Sequence, residues 1–208
     1  MIYSEKIRVD VFILPIATII FCIIGDCIVR SALFNNHIVV GIVDNLIHGI
    51  IGFLIVLPYS LINRPIKLRF PLLAMAVAML LDLDHFAAAH SFSISDAISI
   101  EAYPGTHSLT MAVIFPSIIY VWKHNFRVTW IVFLALLSHV IRDAGLWRVP
   151  LFFPFSGTIK VPYGLYLLVI LALQQISKLF FMKEGTCTSY FPLRRWKELI
   201  SHFVGGRN

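Results

Sequence analysis

Leu72-Leu73-Ala74-Met75-Ala76-Val77-Ala78-Met79-Leu80-Leu81-Asp82-Leu83-Asp84-His85 is an unbroken apolar run that ends on two carboxylates and an imidazole. The segment around it, 70–90, is long enough as a helix to cross the roughly 30 Å hydrocarbon core of a bilayer. Its polar end is what needs explaining. A charged group at mid-bilayer costs a few kcal/mol, so ionisable residues kept in membrane helices face a shared interior or a pathway.

Working outward, the sequence offers five further apolar segments of spanning character: 11–29, 38–62, 107–122, 129–147 and 161–182. The segment 107–122 is short and carries Pro116, which predicts a tilted, kinked or longer helix. The expected fold is all-α, a polytopic membrane bundle of about six transmembrane helices. No repeat or low-complexity tract is visible and the connections are short, so residues 1–182 read as one transmembrane bundle and 183–208 as a basic cytoplasmic tail.

Composition agrees. The chain has 208 residues, 59% of them hydrophobic and 13% charged, with a mean hydropathy of +0.85. In soluble domains about 25% of residues are charged. The net charge of +6 lies in short segments between apolar runs, where it reports topology and not a nucleic-acid partner. Cys22, Cys27 and Cys187 are too scattered for a disulfide framework or a Cys-rich zinc site. The stretch from Val11 to Val29, preceded by Lys6 and Arg8, exceeds the usual signal-peptide core of about 7–15 residues and has no small-x-small cleavage site after it. It reads as an uncleaved first membrane helix. Tyr190 to Val204, with Arg194, Arg195, Trp196 and Lys197, fits an amphipathic helix on the cytoplasmic leaflet or a disordered basic tail.

Sorting Lys and Arg by connection fixes an orientation. One side holds Lys6, Arg8, Arg64, Lys67, Arg69, Lys123, Arg127, Lys178, Lys183, Arg194, Arg195, Lys197 and Arg207; the other holds only Arg30, Arg148 and Lys160. The positive-inside rule then makes both termini cytoplasmic. With that orientation Asp82, Asp84 and His85 fall at the outer end of the third helix, and His139, Arg142 and Asp143 at that of the fifth. His107 starts the fourth helix, and Asp44, Asn45 and His48 lie in the first half of the second, on the same side. Asp26 also lies near the outer end of the first helix.

Spacing groups these residues further. Asp82 and His85 are three apart and share a helical face, while a helix terminus before Ala87-Ala88-Ala89 lets Asp84 turn to the same ion. His139 and Asp143 are four apart, a spacing with which one helix grips a metal. Thr106-His107-Ser108 follows Pro104-Gly105 at a helix start, where free N–H groups favour an anion. Asp44 and His48 also share a face. Each motif has a plainer reading: a polar terminus meeting water for Asp82 to His85, an interhelical hydrogen bond or salt bridge for His139 and Asp143, an interface residue for His107 and a buried hydrogen-bonded histidine for His48. Taken together, several histidines and carboxylates at one depth predict a metal site. His37, His90, His124 and His202 fall outside any ligand-like spacing. There is no Walker loop, dinucleotide fingerprint or soluble Ser-His-Asp arrangement.

The order His48-x-x-x-Gly52, Asp82-Leu83-Asp84-His85, Thr106-His107-Ser108, Ser138-His139-x-x-x-Asp143 and Pro150-Leu151-Phe152-Phe153-Pro154-Phe155-Ser156 resembles the YdjM-like group of membrane-bound metal-dependent hydrolases. The chain is also similar to the transmembrane protein 267 family in Asp44-Asn45-x-x-His48, Asp82-x-Asp84-His85-Phe86, Ser138-His139-x-Ile141-Arg142-Asp143 and Gly145-Leu146-Trp147. The resemblance covers about residues 40–175 and implies a metal centre formed by His48, Asp82, Asp84, His85, His107, His139 and Asp143. The bacterial pattern has a His-Arg pair shortly before Thr-His-Ser, where this chain has Ala102-Tyr103-Pro104-Gly105.

The leading expectation is a hydrolase of a lipid-linked or phosphoester substrate, using a divalent metal, zinc first, at the outer or lumenal end. Its partners are the bilayer and that substrate, with no nucleic acid. Asp82 or Asp84 completes the metal shell or acts as general base, and Arg142 either holds a substrate phosphate or pairs with Asp143 or a carboxylate of the third helix. The alternative is a non-enzymatic scaffold in which the same cluster is a structural polar network. An ion or proton pathway is disfavoured because the inner halves of the helices are almost wholly apolar.

Overall fold

The computed structural model describes residues 13–31, 34, 36–62, 68–100, 102–155 and 157–190. Six long helices form among the described residues: α1 (Leu14–Arg30), α2 (His37–Ile62), α3 (Arg69–Leu81), α6 (Leu109–Lys123), α7 (Phe126–Leu146) and α8 (Tyr163–Tyr190). Two short ones, α4 (Asp84–Ala88) and α5 (Ile94–Ile98), separate α3 from α6. No strand forms among the described residues, and Val149 and Ile159 make one isolated antiparallel bridge. The all-α membrane bundle expected from the sequence is therefore the fold. The segments His37–Pro58, Arg69–Ala88, Phe126–Leu146 and Tyr163–Phe180 are long and apolar enough to cross a bilayer, and Leu109–Lys123 is a shorter apolar helix. The predicted tail segment Tyr190 to Val204 lies, beyond Tyr190, outside the described residues.

Helix α7 is the axis of the bundle. It packs on α2, α3, α6 and α8, and from Ser138 to Leu146 every residue is buried. A helix enclosed on all sides must aim its polar side chains at its neighbours, and α7 carries His139, Arg142 and Asp143 in that enclosed end. Ile51, Ile55, Ala74, Ala78, Leu134 and Ile170 form the apolar core beside it. The outer faces are apolar too: Ile16, Ile20, Leu72, Val113, Leu168 and Leu179 are all exposed, as expected of a surface solvated by lipid tails.

Small residues set the closest approaches. A Cβ at Gly52 would stand 3.0 Å from the Ala74 carbonyl oxygen, so glycine here lets α2 lie against α3. Lower in the bundle, the Gln174 amide donates to the Leu54 carbonyl at 3.0 Å and to Thr18 Oγ1 at 2.8 Å. That pair of bonds joins α8 to α2 and α1 where water is scarce.

The chain breaks at Asp82. Helix α3 ends at Leu81, Asp82 caps it, and α4 starts afresh at Asp84. The helix-terminus reading of Asp82-Leu83-Asp84-His85 is thus what the backbone does. The start of α6 differs from expectation: the helix begins at Leu109, and Ser108 caps it by accepting from Met111 N at 3.2 Å. His107 sits ahead of the helix, its N–H donating to Pro104 O at 3.0 Å, so the predicted anion site is occupied by the chain's own cap. The connection from Trp147 to Pro162 folds back and pins this start through Leu109 N to Leu151 O, 2.9 Å.

Candidate metal centre

Asp143 lies at the middle of the polar cluster. Its Oδ1 is 3.1 Å from His48 Nε2 on α2, and its Oδ2 is 3.2 Å from His139 Nε2 and 2.8 Å from His107 Nδ1. Asp82 approaches from the end of α3, with Oδ1 3.2 Å from His139 Nε2, 3.9 Å from His107 Nε2 and 4.0 Å from His85 Nδ1. Asp84 Oδ1 stands 2.9 Å from His85 Nδ1 and 3.3 Å from His107 Nε2, while its Oδ2 accepts from the Thr106 hydroxyl. The chain therefore brings all seven residues implied by the resemblance into one cluster. Four elements and one loop supply them.

His139 tells most about what the cluster can hold. Its Nδ1 lies 2.8 Å from the Ala78 carbonyl, which can only accept, so Nδ1 carries the proton and a neutral ring presents a lone pair at Nε2. That Nε2 faces carboxylate oxygens of both Asp82 and Asp143, yet it makes no aligned hydrogen bond among the described residues. Three electron-pair donors converging on one point need a cation between them, a proton or a metal. An N–H to backbone carbonyl bond is also how metal-ligating histidines are held in orientation. The His48 ring stacks on that of His139 with centroids 3.6 Å apart and planes 15° from parallel. Two stacked imidazolium rings would repel, so protons alone neutralise this pair poorly.

The donor set fits a divalent ion. His48, His139 and Asp143 form one group of metal-ligand type, and Asp82, His85 and His107 another. Imidazole with carboxylate is a zinc donor set, and three protein ligands is the number found where zinc keeps an open position. Outside the membrane spans, burial works against the imidazolium of His107, but hydrogen bonds to Asp143 and Asp84 outweigh it and raise its pKa. A metal bound there would displace a proton.

Arg142 has partners that sequence spacing did not give. Its Nε donates to Asp26 Oδ1 on α1 at 2.9 Å, and its Nη2 is 2.7 Å from Asp44 Oδ1 on α2. Tyr163 Oη donates to Asp26 Oδ2 at 2.9 Å. The guanidinium is fully buried in this network, its ion pairs made with Asp26 and Asp44 in place of the expected Asp143 or a carboxylate of α3.

The cluster opens to a cavity of about 250 Å³, whose wall includes Asp44, Asn45, Asp82, His85 and Tyr103 together with Ile42, Ile94 and Ile98. Tyr103 was not singled out in the sequence. Its ring centroid is 5.7 Å from that of His85 and 5.1 Å from that of His107. Burial, and then the carboxylates of Asp143, Asp44 and Asp82, raise its pKa, so the phenol stays a neutral hydrogen-bond donor. Its place just ahead of Thr106-His107-Ser108 was the available signal.

Fold and site define a polytopic membrane bundle with a buried His/Asp centre. Residues 43–198 match the family described as YdjM inner membrane protein, three quarters of the chain, and the protein belongs to that family. It is similar to Transmembrane protein 267 of Mus musculus, 28% identical over 178 residues, covering 80% of this chain and 81% of that one. The protein of the same name from Danio rerio is 28% identical over 177 residues, covering 80% and 78%. That of Bos taurus is 26% identical over 181 residues, covering 80% and 81%. No solved structure matches.

Proposed function

We propose that the protein is a membrane-bound, divalent-metal-dependent hydrolase acting on a lipid-linked or phosphoester substrate at the outer or lumenal end of the bundle. The observation that carries this reading is the Nε2 of His139, whose ring is fixed by the Ala78 carbonyl, lying 3.2 Å from carboxylate oxygens of both Asp82 and Asp143. His48, Asp82, Asp84, His85, His107, His139 and Asp143 would hold the metal, zinc being the first candidate. When bound, such an ion supplies Lewis acidity, which polarises a phosphoryl oxygen and lowers the pKa of water to about 7.

The chain's own groups divide the remaining work. Asp82 and His85 reach the cavity wall and so meet substrate. Asp84, held by the Thr106 hydroxyl at the cluster's edge, or Asp82 takes the proton of the attacking water. Tyr103 donates its phenolic hydrogen to a substrate oxygen across the cavity. Ile42, Ile94 and Ile98 give that cavity an apolar side, which suits a headgroup carrying its first methylenes. The network around Arg142 supports its ion-pair role over phosphate binding, because the guanidinium is buried against Asp26 and Asp44.

A second reading has one observation in its favour. Asp143 and His107, and Asp84 and His85, already lie within 2.8 Å and 2.9 Å of each other, as in a self-sufficient structural network. Phosphoester hydrolysis by purified protein, with chelation and metal restoration, separates the two. Activity lost to chelator and restored by zinc supports the enzyme; metal-replete protein inert toward phospholipid and polyprenyl phosphate substrates supports the scaffold.

A further inference from the structure

The seven ligand-type residues are too many for one ion. A zinc or similar ion takes four to six donors, and at catalytic sites about three of them come from the protein. Here the donors separate into two groups of three, His48 with His139 and Asp143, and Asp82 with His85 and His107. The first group is fully buried, and the second reaches the cavity wall through Asp82 and His85. The groups are joined at Asp82, whose Oδ1 lies 3.9 Å from His107 Nε2 and 4.0 Å from His85 Nδ1 in its own group yet 3.2 Å from His139 Nε2 of the other. Asp143 Oδ2 holds the opposite nitrogen of His107, Nδ1, at 2.8 Å and so orients that ring. A carboxylate that reaches imidazoles of both groups is placed as a bridge.

Carboxylate also outnumbers fixed positive charge: the connected cluster contains Asp26, Asp44, Asp82, Asp84 and Asp143 against one guanidinium, that of Arg142. The balance has to come from protons on the histidines or from metal ions.

We infer that the centre binds two divalent cations side by side, one on His48, His139 and Asp143 and one on Asp82, His85 and His107, with Asp82 as the shared carboxylate. The inference rests on the metal reading above and extends it to stoichiometry and substrate class. A pair of ions would suit in-line displacement at a phosphoryl group, by stabilising both its attacking and its leaving oxygen. The wall-side ion is the one that substrate from the cavity meets first. The innermost ion, enclosed by α2 and α7, exchanges more slowly.

The test is metal stoichiometry on full-length protein in mild detergent, titrated with zinc after chelation, with electron paramagnetic resonance of the manganese(II)-loaded form as a second readout. The expected result is about two equivalents at saturation and a spin-coupled manganese pair. His85→Ala should lower the zinc content to about one equivalent and abolish the coupling while leaving the inner ion. Saturation at about one equivalent, or two uncoupled manganese signals, would overturn the pair while leaving the mononuclear reading intact. No zinc bound at any concentration would remove the metal reading and this inference together.

Discussion

At the scale of single residues, His139 and Arg142 are neighbours in sequence with opposite jobs. His139 is aimed by the Ala78 carbonyl into the cluster, so His139→Ala should weaken metal binding by at least about 10-fold while the bundle stays folded, as read by zinc titration and circular dichroism. Arg142→Met acts on stability instead. It removes the guanidinium from buried Asp26 and half-buried Asp44, a loss of about 3–5 kcal/mol, visible as a lower unfolding midpoint in detergent. Restoring neutrality with Asp26→Asn and Asp44→Asn in the same chain should recover much of it. The pair His139 with Asp143 was legible because helical spacing alone makes them neighbours, whereas the helix break leaves Asp82 4.0 Å from His85 and brings Asp84 to 2.9 Å from it. The Arg142 bond to Asp26 spans 116 residues of sequence, and no spacing rule reports such a partner. His48 was placed by resemblance, and Tyr103 was passed over because a tyrosine before a helix carries no chemical signature of its own.

At the scale of elements, the break between α3 and α4 and the enclosure of α7 decide the site. Had α3 continued through Asp82, Asp84 would point away from His107; ending at Leu81 lets both carboxylates turn inward. The polar run after an apolar stretch announced a helix end, but not that the loop from His90 to Ser108 would return His107 to it. The close approach of α7 to α8 depends on Gly145, where a Cβ would meet Tyr166 Cβ at 2.7 Å. Gly145→Val should therefore destabilise the bundle by about 1–3 kcal/mol through overpacking, measurable by thermal unfolding. Because Tyr166 lies next to Tyr163, which holds Asp26, the same change should loosen the Arg142 network as well.

At the scale of the whole molecule, the outward faces suit lipid and the polar centre sits at one end of the bundle, next to the connections 89–108 and 147–162. The number of long helices and their apolar faces were legible from hydropathy, since span length is set by bilayer thickness. Orientation comes from the Lys and Arg asymmetry alone. A glycosylation acceptor introduced between Ser91 and Glu101 should be modified in the secretory pathway, and an unmodified acceptor would argue for the reverse orientation. The most direct test of the metal centre is elemental analysis of gently purified wild-type protein beside the His139→Ala, Asp143→Ala double variant. A buried His/Asp centre of this kind predicts at least about one equivalent of a transition metal in the wild type and its loss in the variant. Wild-type protein carrying less than about a tenth of an equivalent of any such metal, and taking up none on titration, would contradict it.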